Sequence, residues 1–447
     1  MKPRIHLSEH FTYSKLLRFT LPTIVMNIFL SLYIIVDGYF VANFVGKTEF
    51  AAINLIMPLL NILGTIGYMF GVGGSALIAK TLGEKKEDQA NRLFSLIVLF
   101  SAGLGVLLMV AGFIFMRPIT SMLGAEGQLL EDTVLYGRIF ILALPAWILL
   151  YEFQLFFVTA EKPRLGLLIT VLAGLSNIAF DALFILGFKW GLAGAAAASA
   201  LSQLVGGLFP IIYFMRKNDS LLRLVKPAWN GRAIVKSLTN GSSEFMAEAA
   251  WSLVAIIYNI QLLKYAGEDG VVIYGLLMYV SLIFSALFVG YSNGIGSVFS
   301  YHYGAQNHGE LQNLLKRSLK LIGITSVAMF VLSEALARPF STLFLQDTPN
   351  LLPDAVHAFR IVSVCYLFTG VAVFSSAFFT ALNNGQVSAL ISFLRTFVFE
   401  LGAVLLLPLL LGVDGIWFAI VFAELMAAVV GSVFMVALRR KYQYYKE

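Results

Sequence analysis

"GLAGAAAASALSQLVGGLFPIIYFMRKNDSLLRLVKPAWNGRAIVK", residues 191–236, begins as an apolar run of helix length and gives way at Arg216 to a segment rich in Lys and Arg. Its opening Gly191-x-x-Gly194 returns 221 residues later as Gly412-x-x-Gly415. The same offset lays Gly46 on Gly267, Gly73 on Gly294 and Gly83 on Gly304, with no gap. It also lays Arg117-Pro118 on Arg338-Pro339 and Thr159-Ala160 on Thr380-Ala381. One offset kept over such a length marks an internal duplication. The basic stretch 216–236 is then the linker between two similar halves.

Outward from that linker, the chain is apolar almost throughout. Of 447 residues, 59% are hydrophobic and 13% charged, against about 25% charged in an ordinary globular domain. Mean hydropathy is +0.84. A helix needs roughly 20 apolar residues to cross the hydrocarbon core. Twelve such stretches fall near 19–44, 51–79, 93–116, 133–159, 165–188, 191–215, 239–264, 271–301, 318–337, 357–381, 386–411 and 414–438. They are too long and too uniform to be barrel strands. The expected fold is an all-α polytopic membrane protein with twelve transmembrane helices. They form two six-helix lobes related by a pseudo-twofold axis. Six spans per half return each half to its starting side, which makes the repeat parallel, with its axis along the membrane normal. The division runs 1–18 (terminal segment), 19–215 (first lobe), 216–236 (linker), 237–438 (second lobe) and 439–447 (tail).

Charge sets the orientation. With the N-terminus inside, the inner segments hold 23 Lys and Arg and the outer loops seven: Lys47, Arg117, Arg138, Lys189, Lys264, Arg338 and Arg360. Basic residues stay on the cytoplasmic side, so a multi-pass protein of the cell membrane with both termini cytoplasmic is expected. The net charge of +6 needs no nucleic acid to explain it. The start of the chain lacks the apolar core and cleavage pattern of a signal peptide, so the first apolar stretch is expected to remain as a span. The single Cys365 excludes an intrachain disulfide framework.

Charged groups inside spans mark function by default. Here they are Asp37, Glu152, Asp181, Glu244, Glu248, Glu334, Glu400, Arg395 and Glu424. By the ~1.5 Å helical rise, Asp37 lies about 13 Å, and Asp181 and Ser199 each about 12 Å, below the outer boundary. Asn177 and Asp181 are four apart and share a helix face. Three spans of the first lobe thus bring oxygen-bearing side chains to one depth. A hard cation takes oxygen ligands, and two close carboxylates can hold a proton; Asp37, Asn177, Asp181 and Ser199 suit either Na⁺ or H⁺. The plainer reading of Asp37 is a buried side chain capping an irregular stretch beside Gly38. At the repeat offset Asp37 becomes Tyr258 and Asp181 becomes Gly402, so the second lobe does not copy the site. It offers Glu248 and Glu424 near mid-membrane, and Glu400 with Arg395, for a cationic substrate or a proton. Arg395 and Glu400 read as a candidate buried ion pair, but five residues is a poor same-face spacing in an α-helix, which leaves another partner open to each. Glu244 follows "NGSS" and reads as an acid at a helix start. Glu152 and Glu334 are weaker candidates. Of the prolines within spans, Pro22 shares a helix with Asp37 and could bend it.

"VANFVGKT" lacks the leading glycine of a phosphate loop, "GVGGSA" lacks dinucleotide spacing, and the five His form no metal cluster. No cofactor is expected beyond a coupling ion, and no catalytic constellation suggests an enzyme.

"VDGYFVANFVG", "SNIAFDALFILGFKWGLAGAAAASALSQ" and "FFTALNNGQVSALISFLR", with the repeat, resemble the multidrug and toxic compound extrusion (MATE) family over about 15–438. The resemblance implies a two-lobe exporter of bulky amphipathic organic cations driven by inward Na⁺ or H⁺. It also implies an ion site at Asp37, Asn177, Asp181 and Ser199, though the family often has Thr at the last position. It implies a bending proline at Pro22. Another branch of the family uses a Glu in helix seven and an Asp in helix ten; Glu248 or Glu244 matches the first, but span ten has no acid. The alternative on the same lobes is a flippase for lipid-linked oligosaccharides or lipid precursors. It would need buried cations for phosphate, and Arg395 alone stands in a span. The chain is expected to act as a monomer.

Overall fold

The computed structural model describes residues 5–346 and 348–444, without the side chains of 39, 40, 42, 43, 47 and 252. Of the basic residues that set the expected orientation, Lys2, Arg4 and Lys446 and the side chain of Lys47 lie outside the described residues.

Among the described residues, nine helices are long and apolar enough to cross a membrane, and two bent pairs pass together, at 55° and 43°. The pairs are Gly127–Ile141 with Leu144–Thr159 and Pro349–Ser363 with Tyr366–Ala381. The helix Gly231–Gly304 has 74 residues, with non-helical φ 66, ψ −157 at Gly267. At ~1.5 Å per residue it is several bilayers' worth of helix. It therefore contributes two spans joined at Gly267, and the passes number twelve. The protein is an all-α, multi-pass membrane protein.

Spans 1 to 6 are thus Tyr13–Phe44, Lys47–Gly83, Glu87–Met122, the first bent pair, Pro163–Gly187 and Gly191–Met215. Spans 7 and 8 are the two arms of Gly231–Gly304, and span 9 is His308–Phe344. Span 10 is the second bent pair, span 11 runs Gly385–Leu411 and span 12 is Val413–Ala437. An even number of passes puts both chain ends on one face, called here the terminal face. Helix begins at Gly231, so the last residues of the 216–236 segment already belong to span 7. For the same reason Glu244 is not at a helix start. The "NGSS" run lies well inside the helix, where its small residues serve packing: a Cβ on Gly241 would stand 1.9 Å from Met69 O.

That contact is part of a seam between the lobes built on backbone touching backbone. A Cβ on Gly73 would meet Ser237 O at 1.9 Å, and one on its repeat mate Gly294 would meet Thr20 Cα at 3.1 Å. A Cβ on Gly83 would meet Tyr301 O at 2.0 Å, and one on Gly304 would meet Lys80 O at 2.0 Å. Gly83 and Gly304 are repeat mates, and so are Lys80 and Tyr301, so the two contacts are one contact seen twice about the pseudo-twofold. Hydrogen bonds cross the same seam: Thr159 Oγ1 to Ser297 Oγ (2.8 Å), Asn383 Nδ2 to Ala76 O (3.1 Å) and Ser31 Oγ to Leu282 O (3.3 Å). Glycine is required because nothing larger lets two helices approach so closely.

The duplication is not rigid in register. Positive φ recurs at Lys85 (61°) and Gln306 (54°), 221 apart, but at Glu161 (60°) and Asn383 (57°), 222 apart. The turn after span 4 and its mate after span 10 have slipped by one residue. The matched letters Thr159-Ala160 and Thr380-Ala381 therefore sit one position apart relative to their helix ends.

Candidate functional site

Span 1 runs as one helix from Tyr13 to Phe44 with Pro22 inside it. Asp37 stands on it half-buried, one turn beyond Tyr33. Span 5 is α-helical from Pro163 to Asp181 and continues as a π-turn over Ala182–Gly187. π-turns widen a helix locally and recur at functional positions. Asn177 and Asp181 sit just before it, buried to 0% and 1% exposure. Ser199 faces them from span 6, also buried.

Amide oxygen and nitrogen are assigned from their partners, and one orientation of Asn177 satisfies all of them. Its Nδ2 then stands 3.0 Å from Asp181 Oδ2, 3.1 Å from Asp37 Oδ1 and 2.9 Å from the Tyr33 hydroxyl, while its Oδ1 accepts from Ser199 N at 3.2 Å. Asp37 and Asp181 are thereby gathered around one amide group. Asp181 Oδ1 is buried without a partner. The sequence-derived quartet is thus one polar chamber, joined by Tyr33 and flanked by Tyr136, whose hydroxyl donates to Met57 Sδ at 3.9 Å within electrostatic reach of both carboxyl groups. Tyr33 was legible as the residue one turn before Asp37; Tyr136 arrives from span 4 with no sequence signal.

The two orientations of the Asn177 amide suit the two candidate ions differently. An Na⁺ held by Asp37, Asn177 and Asp181 needs an oxygen from each. In the other amide orientation Asn177 Nδ2 donates to Ser199 Oγ at 3.3 Å and its oxygen faces the carboxylates, as such a site requires. With the NH₂ turned to the carboxylates, the chamber suits a proton shared between the two carboxyl groups, and Asp181 Oδ1, buried without a partner, can carry it.

The second-lobe acids divide into two groups. Arg395 donates from Nε (3.1 Å) and Nη2 (2.5 Å) to Glu424 Oε1, with Glu424 buried. Glu400 lies within electrostatic reach of both. A π-turn over Leu394–Glu400, with its i→i+5 hydrogen bonding, moves residues five apart closer to one face than an α-helix would. Glu244 and Glu248 lie one turn apart, close to Tyr68 and Tyr151 of the first lobe. Those two rings meet edge to face at 6.2 Å, and Asn293 Nδ2 donates to the Tyr68 hydroxyl across the seam. Glu424 is therefore committed to Arg395, whereas Glu248 stands toward the space between the lobes. The weaker candidates have local partners: Glu152 Oε2 accepts from Ser101 Oγ at 2.5 Å, and Glu334 Oε1 from Ser363 Oγ at 2.5 Å.

Comparison with known proteins agrees with this architecture. The multidrug export protein MepA of Staphylococcus haemolyticus is 24% identical over 437 residues, covering 98% of this chain and 96% of its own. MepA of Staphylococcus aureus is 23% identical over 431 residues, covering 96% and 94%. Among solved structures, a MATE transporter in complex with MaL6 superposes with a TM-score of 0.92 at 21% identity, covering 98% of each chain. An outward-facing multidrug resistance MATE family transporter gives 0.91 at 22%, again over 98% of each. A transporter of the MOP superfamily from Pyrococcus furiosus, described as having a binding pocket of reversed polarity, gives 0.89 at 22%, covering 97% of each. The family model for MatE matches residues 22–183 and again 245–405, one block in each lobe. With both halves of the duplication matched, this chain belongs to the MatE family.

Proposed function

We propose that this chain is a proton-coupled antiporter that exports amphipathic organic cations across the cell membrane by rocking its two lobes about the seam. The observation that supports the coupling ion is the gathering of Asp37 Oδ1 (3.1 Å) and Asp181 Oδ2 (3.0 Å) around one Asn177 amide nitrogen. Two carboxyl groups held around one amide share a proton readily, because two bare anions repel. Loading and losing that proton changes the charge of a buried chamber by one unit, which is enough to bias a two-state equilibrium. Pro22, four turns below Asp37 on the same helix, leaves a backbone bond unmade, so a bend there would move Asp37 relative to span 5. The cargo is received by Glu248 and Glu244 beside the Tyr68 and Tyr151 rings, where a carboxylate and aromatic faces attract an organic cation together. The excess of Lys and Arg on the terminal face makes that face cytoplasmic. The similar MepA proteins carry the name of multidrug exporters, which supports the cargo class. A flippase for phosphate-bearing lipids is disfavoured because Arg395 already spends Nε and Nη2 on Glu424.

The test is efflux of a cationic dye from vesicles containing the purified protein, with pH and Na⁺ gradients imposed separately. A pH gradient alone should drive transport. Asp37→Asn and Asp181→Asn should each abolish it while binding dye and folding normally. Equal transport by a Na⁺ gradient at matched pH would overturn the assignment of the ion, and full transport by both variants would overturn the site.

A further inference from the structure

We infer that residues 5–12 form a clasp over the terminal face, hooked to one glutamate in each lobe, and that Glu161 and Glu310 thereby position the lobes in the closed arrangement. Within "HLSEHF", residues 6–11, a His-apolar pair occurs twice, four residues apart. Each pair grips a carboxylate in the same way. His6 Nδ1 meets Glu161 Oε2 at 2.8 Å while Leu7 N donates to Glu161 Oε1 at 2.7 Å. His10 Nδ1 meets Glu310 Oε2 at 2.6 Å while Phe11 N donates to Glu310 Oε1 at 2.9 Å. Glu161 lies in the turn between spans 4 and 5 of the first lobe. Glu310 lies in the first turn of span 9 of the second lobe, where Asn307 caps its N–H at 3.1 Å.

The segment is bedded rather than draped. Leu7 and Phe11 are fully buried, and the glutamate side chains keep 2% and 7% of their exposure. Glu9 braces the segment by accepting from His6 N at 3.0 Å and from Lys15 Nζ at 2.6 Å. Asn313 Nδ2 donates to both Glu310 Oε1 (2.8 Å) and Phe11 O (3.0 Å). The apolar bed is mainly second-lobe: Phe299, Leu311, Leu314 and Phe378, with Val158 from the first. The second-lobe end is therefore the better anchored, and the hook at Glu161 is the one that must open when the lobes part. Each hook is a carboxylate accepting two hydrogen bonds from the segment, the stronger class of such contacts, and a separation of a few ångströms breaks both bonds at once.

The inference rests on the rocking of the lobes proposed above but not on the coupling ion or the cargo. Its test therefore uses neither. The full-length protein in lipid nanodiscs receives spin labels at the exposed Arg92 and Lys316, one per lobe beside the terminal face, and the distance between them is measured by pulsed electron resonance. Glu161→Ala should raise the population with separated terminal faces at least fivefold, and Glu310→Ala should raise it less. His6→Ala, which leaves the glutamate in place, should give part of the Glu161→Ala effect. Removing residues 2–9 should match Glu161→Ala, and combining the two should add nothing further, as expected for one shared interaction. A merely structural role for these residues would lower the melting temperature without moving the distances. Unchanged distances in Glu161→Ala and His6→Ala, or additive effects of the deletion and Glu161→Ala, would overturn the clasp. A failure of dye transport by the Asp37 and Asp181 variants to behave as proposed would leave these distances unaffected.

Discussion

Gly83→Ala probes the seam most directly. The added Cβ would lie 2.0 Å from Tyr301 O and 2.8 Å from Ala305 N. Both obstacles are helix backbone and neither can rotate aside. Ordinary carbon contacts begin near 3.5 Å, so the helices must separate by more than about 1 Å or open the seam. Overpacking of this kind costs about 1–3 kcal/mol. Alanine also favours helix by about 1 kcal/mol over glycine, but that gain is present whether the terminal face is closed or open and cancels between the two states. What remains is a bias toward the open state of roughly 5–150-fold. Gly103→Ala supplies the control, because nothing lies within 4 Å of its Cβ. The readout is the labelling rate of the thiol in a Ser297→Cys background; Ser297 is buried and bonded to Thr159 across the seam at 2.8 Å. The native Cys365 is buried and gives the background. A water-soluble maleimide should modify the introduced thiol faster in Gly83→Ala by that factor and at the parent rate in Gly103→Ala. Equal rates in the two variants would refute the claim that bare backbone contact closes this face.

Two further substitutions test the buried polar contacts. Glu424→Gln leaves the Arg395 guanidinium without its carboxylate and should cost about 3 kcal/mol of stability; replacing both with Leu and Met should recover most of that, and a thermal-melting cycle on the four proteins decides it. Asn383→Ala removes the bonds to Ala76 O (3.1 Å) and from Asn240 Nδ2 (2.9 Å) and puts alanine at φ 57. It should lower stability by about 2 kcal/mol, and an unchanged melting curve would show that the cross-seam bond contributes nothing.

The fold was legible because its signals are additive along the chain. Span length, loop charge and a fixed repeat offset each draw on many residues, so single errors do not matter. The chamber was legible because Asp37, Asn177 and Asp181 are costly in a span and two of them share a face at four-residue spacing. What escaped depended on backbone departures that leave no letter behind. The π-turn after Asp181 and the one containing Arg395 and Glu400 change which side chains face each other, and helical-wheel spacing assumes they are absent. Glu244 was misplaced because "NGSS" reads as a cap when the helix boundary is unknown, whereas the same small residues at 1.9 Å from a neighbouring carbonyl are there for close approach. The glutamates of the terminal face drew no attention because acids outside spans are ordinary until a distant segment is seen to grip them.

The seam and the chambers place different demands on the duplicated halves. Where Gly83 and Gly304 cross, each half is the other's counterpart, so a change on one side must be answered by its twin. The space around Asp37 is enclosed by one bundle alone, and its mate at Tyr258 is free to become something else. A tandem copy joined in this manner keeps a common seam while the polar interior of each bundle is free to diverge.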